Sequence, residues 1–154
     1  MERASHEAAP QLCLENQLCF PLYACSRRIV SLYTPYFRPL GLTYTQYVVF
    51  MALWEEDGLT VGELGKRLYL DNGTLTPLLK KMEANGWIDR RRSREDERVV
   101  TVHLTQEGWK MRASAAHIPS SVASSLSLSR EEAAQLHTLL HRLLSQMCDR
   151  QGGS

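Results

Sequence analysis

Four cysteines, Cys13, Cys19, Cys25 and Cys148, are the side chains of this sequence best suited to redox chemistry. No Cys-x-x-Cys pair occurs, so neither a zinc knuckle nor a thioredoxin-type dithiol is supported, and a reducing compartment is the expected setting. Cys19 and Cys25 lie in a stretch of helical periodicity. Their spacing places them roughly 9 Å apart along the axis and on different sides, too far to pair without unwinding. A lone cysteine near a helix is by default a small buried hydrophobe. Cys19 can depart from that default, because Pro21 is most comfortable near a helix start, where free backbone N–H groups and the positive helix end favour a thiolate. Tyr23, one turn later, could donate its hydroxyl proton to that sulfur. If Asn16 is the cap instead, Pro21 kinks a helix already under way and the dipole argument weakens. A second constellation, His137 and His141 with His117 or Cys148 added, has the residue types of a metal site. Both histidines fall on the shoulder of a leucine stripe, so a solvated pair is the simpler reading.

The other concentration of chemistry is arginine. Between Arg90 and Arg98 there are five, in the run Arg90-Arg-Arg-Ser-Arg-Glu-Asp-Glu-Arg98. Alone, this would be a solvated turn of mixed charge. Its surroundings change the reading. Thr60-Val-Gly-Glu63 is a capping box that opens a helix with Leu64 and Leu68 inward. Asp71 and Asn72 offer a second N-cap, followed by Leu75, Leu78, Leu79 and Met82 at helical spacing, with Pro77 in the early turns. Asn85-Gly86 ends that helix, glycine taking the left-handed conformation without penalty. Trp87 to Arg90 and Val99 to Leu104 read as strands of a hairpin around the charged tip. Two capped helices and a basic hairpin make a winged helix-turn-helix, whose second helix enters the DNA major groove while the hairpin follows the backbone or minor groove. For groove and phosphate contacts the candidates are Asn72, Thr74, Thr76 and Lys80. On the wing, Arg98 is the minor-groove candidate, Arg90, Arg92 and Arg94 face the backbone, and Asp96 positions an arginine.

The elements that must carry these groups are helical. Leu22, Ser26, Ile29, Val30, Tyr33, Phe37 and Leu40 recur at helical intervals up to Pro39 and Gly41. Thr43-Tyr-Thr-Gln46 is a capping box for a helix reaching about Glu56. Thr105 opens another helix, which Pro119 interrupts or bends, and Ser120 to Ser129 reads as a loosened section. Ser129-Arg-Glu-Glu132 caps the last helix, with Leu136, Leu139, Leu140, Leu143, Leu144 and Met147 in one stripe. That stripe and the first helix's apolar face have too few partners in a small winged-helix core, which predicts a homodimer built from the terminal helices, with two recognition helices about one DNA turn apart on a palindromic operator. The alternative is that both helices fold back on their own domain. Composition fits one soluble domain: 154 residues, 44% hydrophobic and 23% charged. The longest apolar run, Tyr47 to Trp54, is too short to span a membrane, and the N-terminus lacks the apolar stretch of a secretory signal. With a net charge of only +1, local placement of arginines must do the steering.

Arg94-Glu-Asp-Glu-Arg98-Val-Val-Thr-Val-His-Leu-Thr105-Gln-Glu-Gly108 resembles the wing and following helix of the MarR family of bacterial regulators, whose pattern there is Asp-x-Arg, a hydrophobic strand, then Leu-Thr-x-x-Gly. The resemblance extends from about Leu14 to Met147 and implies a homodimeric winged helix. Leu14-Glu-Asn-Gln-Leu-Cys19-Phe, Leu22-Tyr23-Ala, Tyr33, Tyr44, Gln46-Tyr47 and the stretch from Tyr69 to Glu83 resemble the organic-hydroperoxide-sensing, OhrR-type branch. In that branch the cysteine at the place of Cys19 is the sensor, the tyrosines at the places of Tyr33 and Tyr44 reach it from the partner subunit, and Tyr23 shares the neighbourhood. The resemblance implies that Cys19 thiolate attacks the peroxide and becomes a sulfenic acid, and that a further step releases the DNA. Two-cysteine members carry a resolving cysteine where this chain has Ser120, Ser121, Ser124, Ser125 and Ser127. The one-cysteine route is therefore favoured: a mixed disulfide with a small thiol, a sulfenamide or overoxidation, with Cys148 or Cys13 of the partner as a further option.

The expected layout is a flexible segment at 1–13, a sensor and dimerisation helix at 14–42, a DNA-binding lobe at 43–104, C-terminal dimerisation helices at 105–148 and a disordered tail at 149–154. A mainly α fold with a small β-hairpin wing, a cytoplasmic location, no enzymatic activity and no cofactor go with it. Two competing functions remain open. A thiol peroxidase would use the same cysteine but needs a resolving thiol and leaves the wing without purpose. A regulator released by a phenolic ligand would use a pocket that Tyr33, Tyr44 and Phe50 could line.

Overall fold

The computed structural model describes residues 9–149, and in it the starts of α-helices from Thr43, Thr60, Asp71, Thr105 and Ser129 are set by the side-chain caps that the sequence announces. Two 3-10 turns, Pro10–Leu12 and Leu14–Asn16, come first. The first α-helix, α1, begins at Cys19 rather than at Leu14 and runs to Phe37. Extended backbone at Cys13 and Gln17 breaks the helical path before it, and the Asn16 amide turns back to donate to the Pro10 carbonyl at 2.7 Å. A 3-10 turn, Arg38–Leu40, closes α1 at Gly41. Then α2, Tyr44–Glu55, starts on the full capping box: Gln46 N–H donates to Thr43 Oγ1 and Thr43 N–H to Gln46 Oε1. A short strand β1, Leu59–Thr60, leads into α3, Val61–Leu68, under the Thr60–Glu63 box. The recognition-type helix α4, Asn72–Ala84, is capped by Asp71, whose carboxylate accepts from Thr74 N–H at 2.8 Å.

The wing strands are β2, Ile88–Arg92, and β3, Val100–Leu104. They are antiparallel, with Ile88 opposite Leu104, Arg90 opposite Val102 and Arg92 opposite Val100. Compared with the sequence reading, β2 is shifted towards the tip, by one residue at its start and two at its end, while β3 begins one residue further from the tip. β1 pairs with the other edge of β3, giving a three-stranded antiparallel sheet in the order β1-β3-β2 where the sequence announced only a hairpin. Two residues are too few to show a period-two pattern, so β1 had no signal of its own.

Gly86 takes φ 73° after α4, and Trp87 N–H closes the helix end on the Met82 carbonyl. From there α5, Gln106–Ala115, is locked to the wing. Thr105 Oγ1 accepts from Gly108 N–H at 3.1 Å and donates to the Gly86 carbonyl at 2.6 Å. A β-carbon at Gly108 would lie 2.2 Å from the Trp87 carbonyl oxygen, which is why the Leu-Thr-x-x-Gly restart ends in glycine. Tyr69, in the turn between α3 and α4, is the one described residue other than glycine with positive φ, 55°. That conformation costs an L-residue with a β-carbon roughly 1–2 kcal/mol.

The core of this unit gathers Phe37, Leu42, Tyr47, Val49, Phe50, Leu53, Leu64, Leu75, Leu79, Met82, Ile88, Val102 and Leu104. The chain divides into two compact units between Ile118 and Pro119. The serine-rich stretch is only half loosened: α6 spans Ile118–Ser124 and accommodates Pro119 in its first turn, while the backbone beyond it leaves the helix until Ser129 caps α7, Arg130–Asp149. Leu136, Leu139, Leu140, Leu143 and Met147 stay exposed on α7. No helix among the described residues is long and apolar enough to cross a membrane. The expected tail beyond residue 149 and the first eight residues lie outside the described residues.

Candidate nucleic-acid interface and redox site

Burial of Leu75, Leu79 and Met82 fixes how α4 is turned. Asn72 and Lys80 are then exposed, with Thr76, one turn before Lys80, half-buried on the same side. Thr74 falls on the other flank, and its hydroxyl donates to Asp71 Oδ2 at 3.3 Å, so it serves the cap first. These two hydrogen bonds hold the Asp71 carboxyl below its ordinary range.

The wing tip is tightly built. Val99 N–H bonds to the Asp96 carbonyl, Ser93 N–H to the Val99 carbonyl, and the Ser93 hydroxyl accepts from Glu95 and Asp96 N–H. Asp96 Oδ1 accepts from Arg98 N–H at 3.0 Å and from Arg98 Nε at 3.3 Å, while the Arg98 side chain stays 92% exposed. This is the positioning expected of Asp96, and it explains a carboxylate among cations. Arg94 is exposed, and Arg92, also exposed, reaches the Glu97 carbonyl at 3.4 Å.

Arg90 does something else. Its guanidinium donates twice to Glu83 Oε2, at 3.0 Å from Nε and 2.7 Å from Nη2, and its backbone N–H donates to Glu83 Oε1 at 3.0 Å. In the chain without DNA, the Arg90 guanidinium, expected on the DNA backbone, instead straps the first wing strand to the last turn of α4. The hydrogen bonds from Arg90 pull the Glu83 carboxyl below its ordinary range. Period-two alternation from the buried Ile88 puts Arg90 on the inward face, a signal the sequence itself carries in their spacing.

Cys19 is the first residue of α1 and is exposed. Leu18 offers no side-chain cap, so the N–H groups of the first turn lack helical partners, and Pro21 falls in that turn instead of kinking an established helix. Within the single chain the contact seen at Tyr23 is with Arg27. Its hydroxyl accepts from Arg27 Nη1 at 3.2 Å, and the guanidinium sits 5.4 Å from the ring centroid. Tyr33 and Tyr44 do meet, edge to face with ring centroids 4.9 Å apart, and Phe37 and Tyr47 complete the cluster. Burial raises the phenol pKa of Tyr33 and Tyr44, and that of Tyr47 to about 12, so these hydroxyls are hydrogen-bond donors at neutral pH. Fourteen helical residues separate Tyr33 from Cys19, about 21 Å along α1. Within one chain the two halves of the expected sensor site are kept apart.

Phe50 is fully buried and stacked on Trp54 at 5.1 Å, so it fills core and does not line the ligand pocket considered above. His137 and His141 have ring centroids 4.2 Å apart on α7, and no described residue makes them part of a three-ligand group.

Residues 31–113 match the family model of the SarA/Rot transcriptional regulators. The chain is 46% identical, over 134 residues that cover 87% of it and 91% of the relative, to the organic hydroperoxide resistance transcriptional regulator of Bacillus subtilis. It belongs to the MarR/SarZ family of winged-helix transcriptional regulators. Solved structures agree. Reduced AbfR bound to DNA, a protein of Staphylococcus epidermidis, superposes with a TM-score of 0.75 at 34% identity, covering 90% of this chain and 96% of AbfR. A mutant of Escherichia coli MarR complexed with operator DNA gives 0.76 at 28% identity, covering 82% of this chain and 93% of MarR. AbfR has also been solved overoxidised on DNA and in a disulfide form. This MarR/SarZ-family chain is thus an OhrR/SarZ-type DNA-binding regulator and not an enzyme, which removes the peroxidase alternative.

Proposed function

We propose that the chain is a cytoplasmic homodimeric repressor that holds a palindromic operator while Cys19 is reduced and releases it when an organic hydroperoxide oxidises Cys19. The observation that carries this reading is the separation along α1: an exposed cysteine at its first residue, and two protonated tyrosine hydroxyls about 21 Å further on. A thiolate needs donors near it, and a second copy, packed along α1, supplies them. The exposed leucine stripe of α7 adds the apolar surface that such a dimer would bury. Arg98, Arg92 and Arg94 on the wing, with Asn72, Thr76 and Lys80 on α4, are the DNA contacts, and Thr74 and Asp96 act through the cap and through Arg98.

The thiolate of Cys19 attacks the distal peroxide oxygen, the O–O bond breaks, the hydroxyl stays on sulfur as sulfenic acid, and the departing alkoxide takes a proton from water and leaves as the alcohol. A small thiol then condenses with it, forming a mixed disulfide and releasing water. Because AbfR is found on DNA in an overoxidised state, the mixed disulfide is favoured over the sulfonate as the releasing form in this chain.

The test uses a duplex recovered by in vitro selection on the reduced wild-type protein. Cumene hydroperoxide with a small thiol should release the wild type and leave Cys19→Ser bound. Release of the serine variant by peroxide would remove Cys19 from the sensor role.

A further inference from the structure

Tyr69 carries three liabilities that a free regulator does not need. It stands in the left-handed region, at φ 55°, where every other described residue with positive φ is glycine. The residue is 54% exposed. Its hydroxyl has no hydrogen-bond partner among the described residues. The position is the C-cap of α3, whose backbone N–H closes on the Gly65 and Lys66 carbonyls, a place where glycine gives the same turn without strain. Nothing in the fold requires an aromatic side chain there.

What the position does offer is location. Tyr69 lies two residues before Asp71, the cap that starts α4, and the first residues of a recognition helix are those that meet the base edges. A side chain projecting from the turn just before that end falls beside the flanking sugar-phosphate backbone. Lys66, exposed in the last turn of the preceding helix three residues before Tyr69, is a further cation close in the chain to this turn, whereas Arg67 is engaged by Glu55 and Glu56.

We infer that Tyr69 is a DNA-backbone contact that sets the register of α4, its hydroxyl donating to a phosphate oxygen and its ring covering the adjacent sugar. Such contacts position a recognition helix without reading sequence. The inference rests on α4 being the groove helix. It adds a neutral contact to a surface otherwise assigned to cations.

The experiment measures binding of wild type, Tyr69→Phe, Tyr69→Asn and Lys80→Met to the in vitro selected duplex across a salt series, with melting temperatures alongside. Tyr69→Phe should weaken binding about fivefold per protomer, the worth of one hydrogen bond, or roughly 25-fold for the dimer, without changing the slope of log K against log salt. Tyr69→Asn should bind at least as weakly and melt no lower than the wild type, since asparagine tolerates the left-handed region. Lys80→Met should lower the slope by about one per protomer. Wild-type affinity in Tyr69→Phe, or a lower melting temperature in Tyr69→Asn, overturns the inference. If Lys80→Met is also without effect, the placement of α4 in the groove falls with it; if Lys80→Met weakens binding alone, only the role of Tyr69 falls.

Discussion

Replacing Arg90 by methionine keeps much of its apolar stem and removes the guanidinium that straps β2 to α4. Three hydrogen bonds run from Arg90 to the Glu83 carboxylate, one from the backbone and two from the side chain. The side-chain pair is 26% and 36% exposed, so it is neither a surface ion pair worth a fraction of a kcal/mol nor a buried one worth several. Discounted for solvent screening, the strap contributes about 1.5 kcal/mol, or about 4 °C in melting temperature. Glu83→Gln should lose a similar amount, because the amide can keep one acceptor but not the paired charge. The double variant should cost little more than either single one, a coupling of about 1 kcal/mol in the cycle. DNA binding separates this from a phosphate contact. A strap that keeps wing and recognition helix in register weakens binding in both variants and leaves the salt slope of Arg90→Met near that of the wild type. If Arg90→Met instead lowers the slope by about one per protomer while Glu83→Gln binds normally, Arg90 is a phosphate ligand and the reasoning is wrong.

Further outcomes follow from single observations. Arg98→Ala should reduce affinity for all duplexes and lower the salt slope by about one per protomer, with an unchanged melting temperature because the side chain is 92% exposed; titrations at several salt concentrations read both. Gly108→Ala should destabilise by about 3 kcal/mol, the upper end of overpacking costs, since the new methyl meets the Trp87 carbonyl oxygen; urea unfolding measures it. The depressed Glu83 pKa adds stability above the ordinary Glu value of 4.5 that drains away as pH falls below it, so melting temperature against pH should flatten there in Glu83→Gln.

Local chemistry made much of this fold legible. Thr43, Thr60 and Ser129 each announce a helix by a reciprocal cap, and all three boxes are formed. Asn85-Gly86 stops α4 because its end needs a positive φ that glycine supplies. What escaped depended on partners distant in sequence. β1 exists because Leu59 and Thr60 find Val102 and Thr101. The Arg90–Glu83 pair joins two different elements, and a count of arginines does not tell which face of a strand each one takes. At Tyr23 the spacing points back to the sulfur one turn behind, while Arg27, one turn ahead, donates to its hydroxyl.

The distance along α1 bears on how a redox event could reach DNA. The core from Tyr33 to Trp87 is continuous aromatic packing, Tyr47 against Trp54, Trp54 stacked on Phe50, Phe50 against Trp87, and dense interiors shift between discrete arrangements rather than bend by degrees. Cys19 lies outside that packing, exposed at the far end of the helix. On the proposed reading its sulfur is bonded across the subunit boundary, so a bulky adduct there acts first on how the two copies sit together. Subunit placement is also what fixes the spacing of two recognition helices, about 34 Å for adjacent major grooves. A switch built this way needs no relay through the winged-helix core. Substitutions inside the aromatic cluster should therefore change stability more than they change the response to peroxide, whereas Tyr33→Phe and Tyr44→Phe, which spare the packing and remove only the donors, should do the reverse.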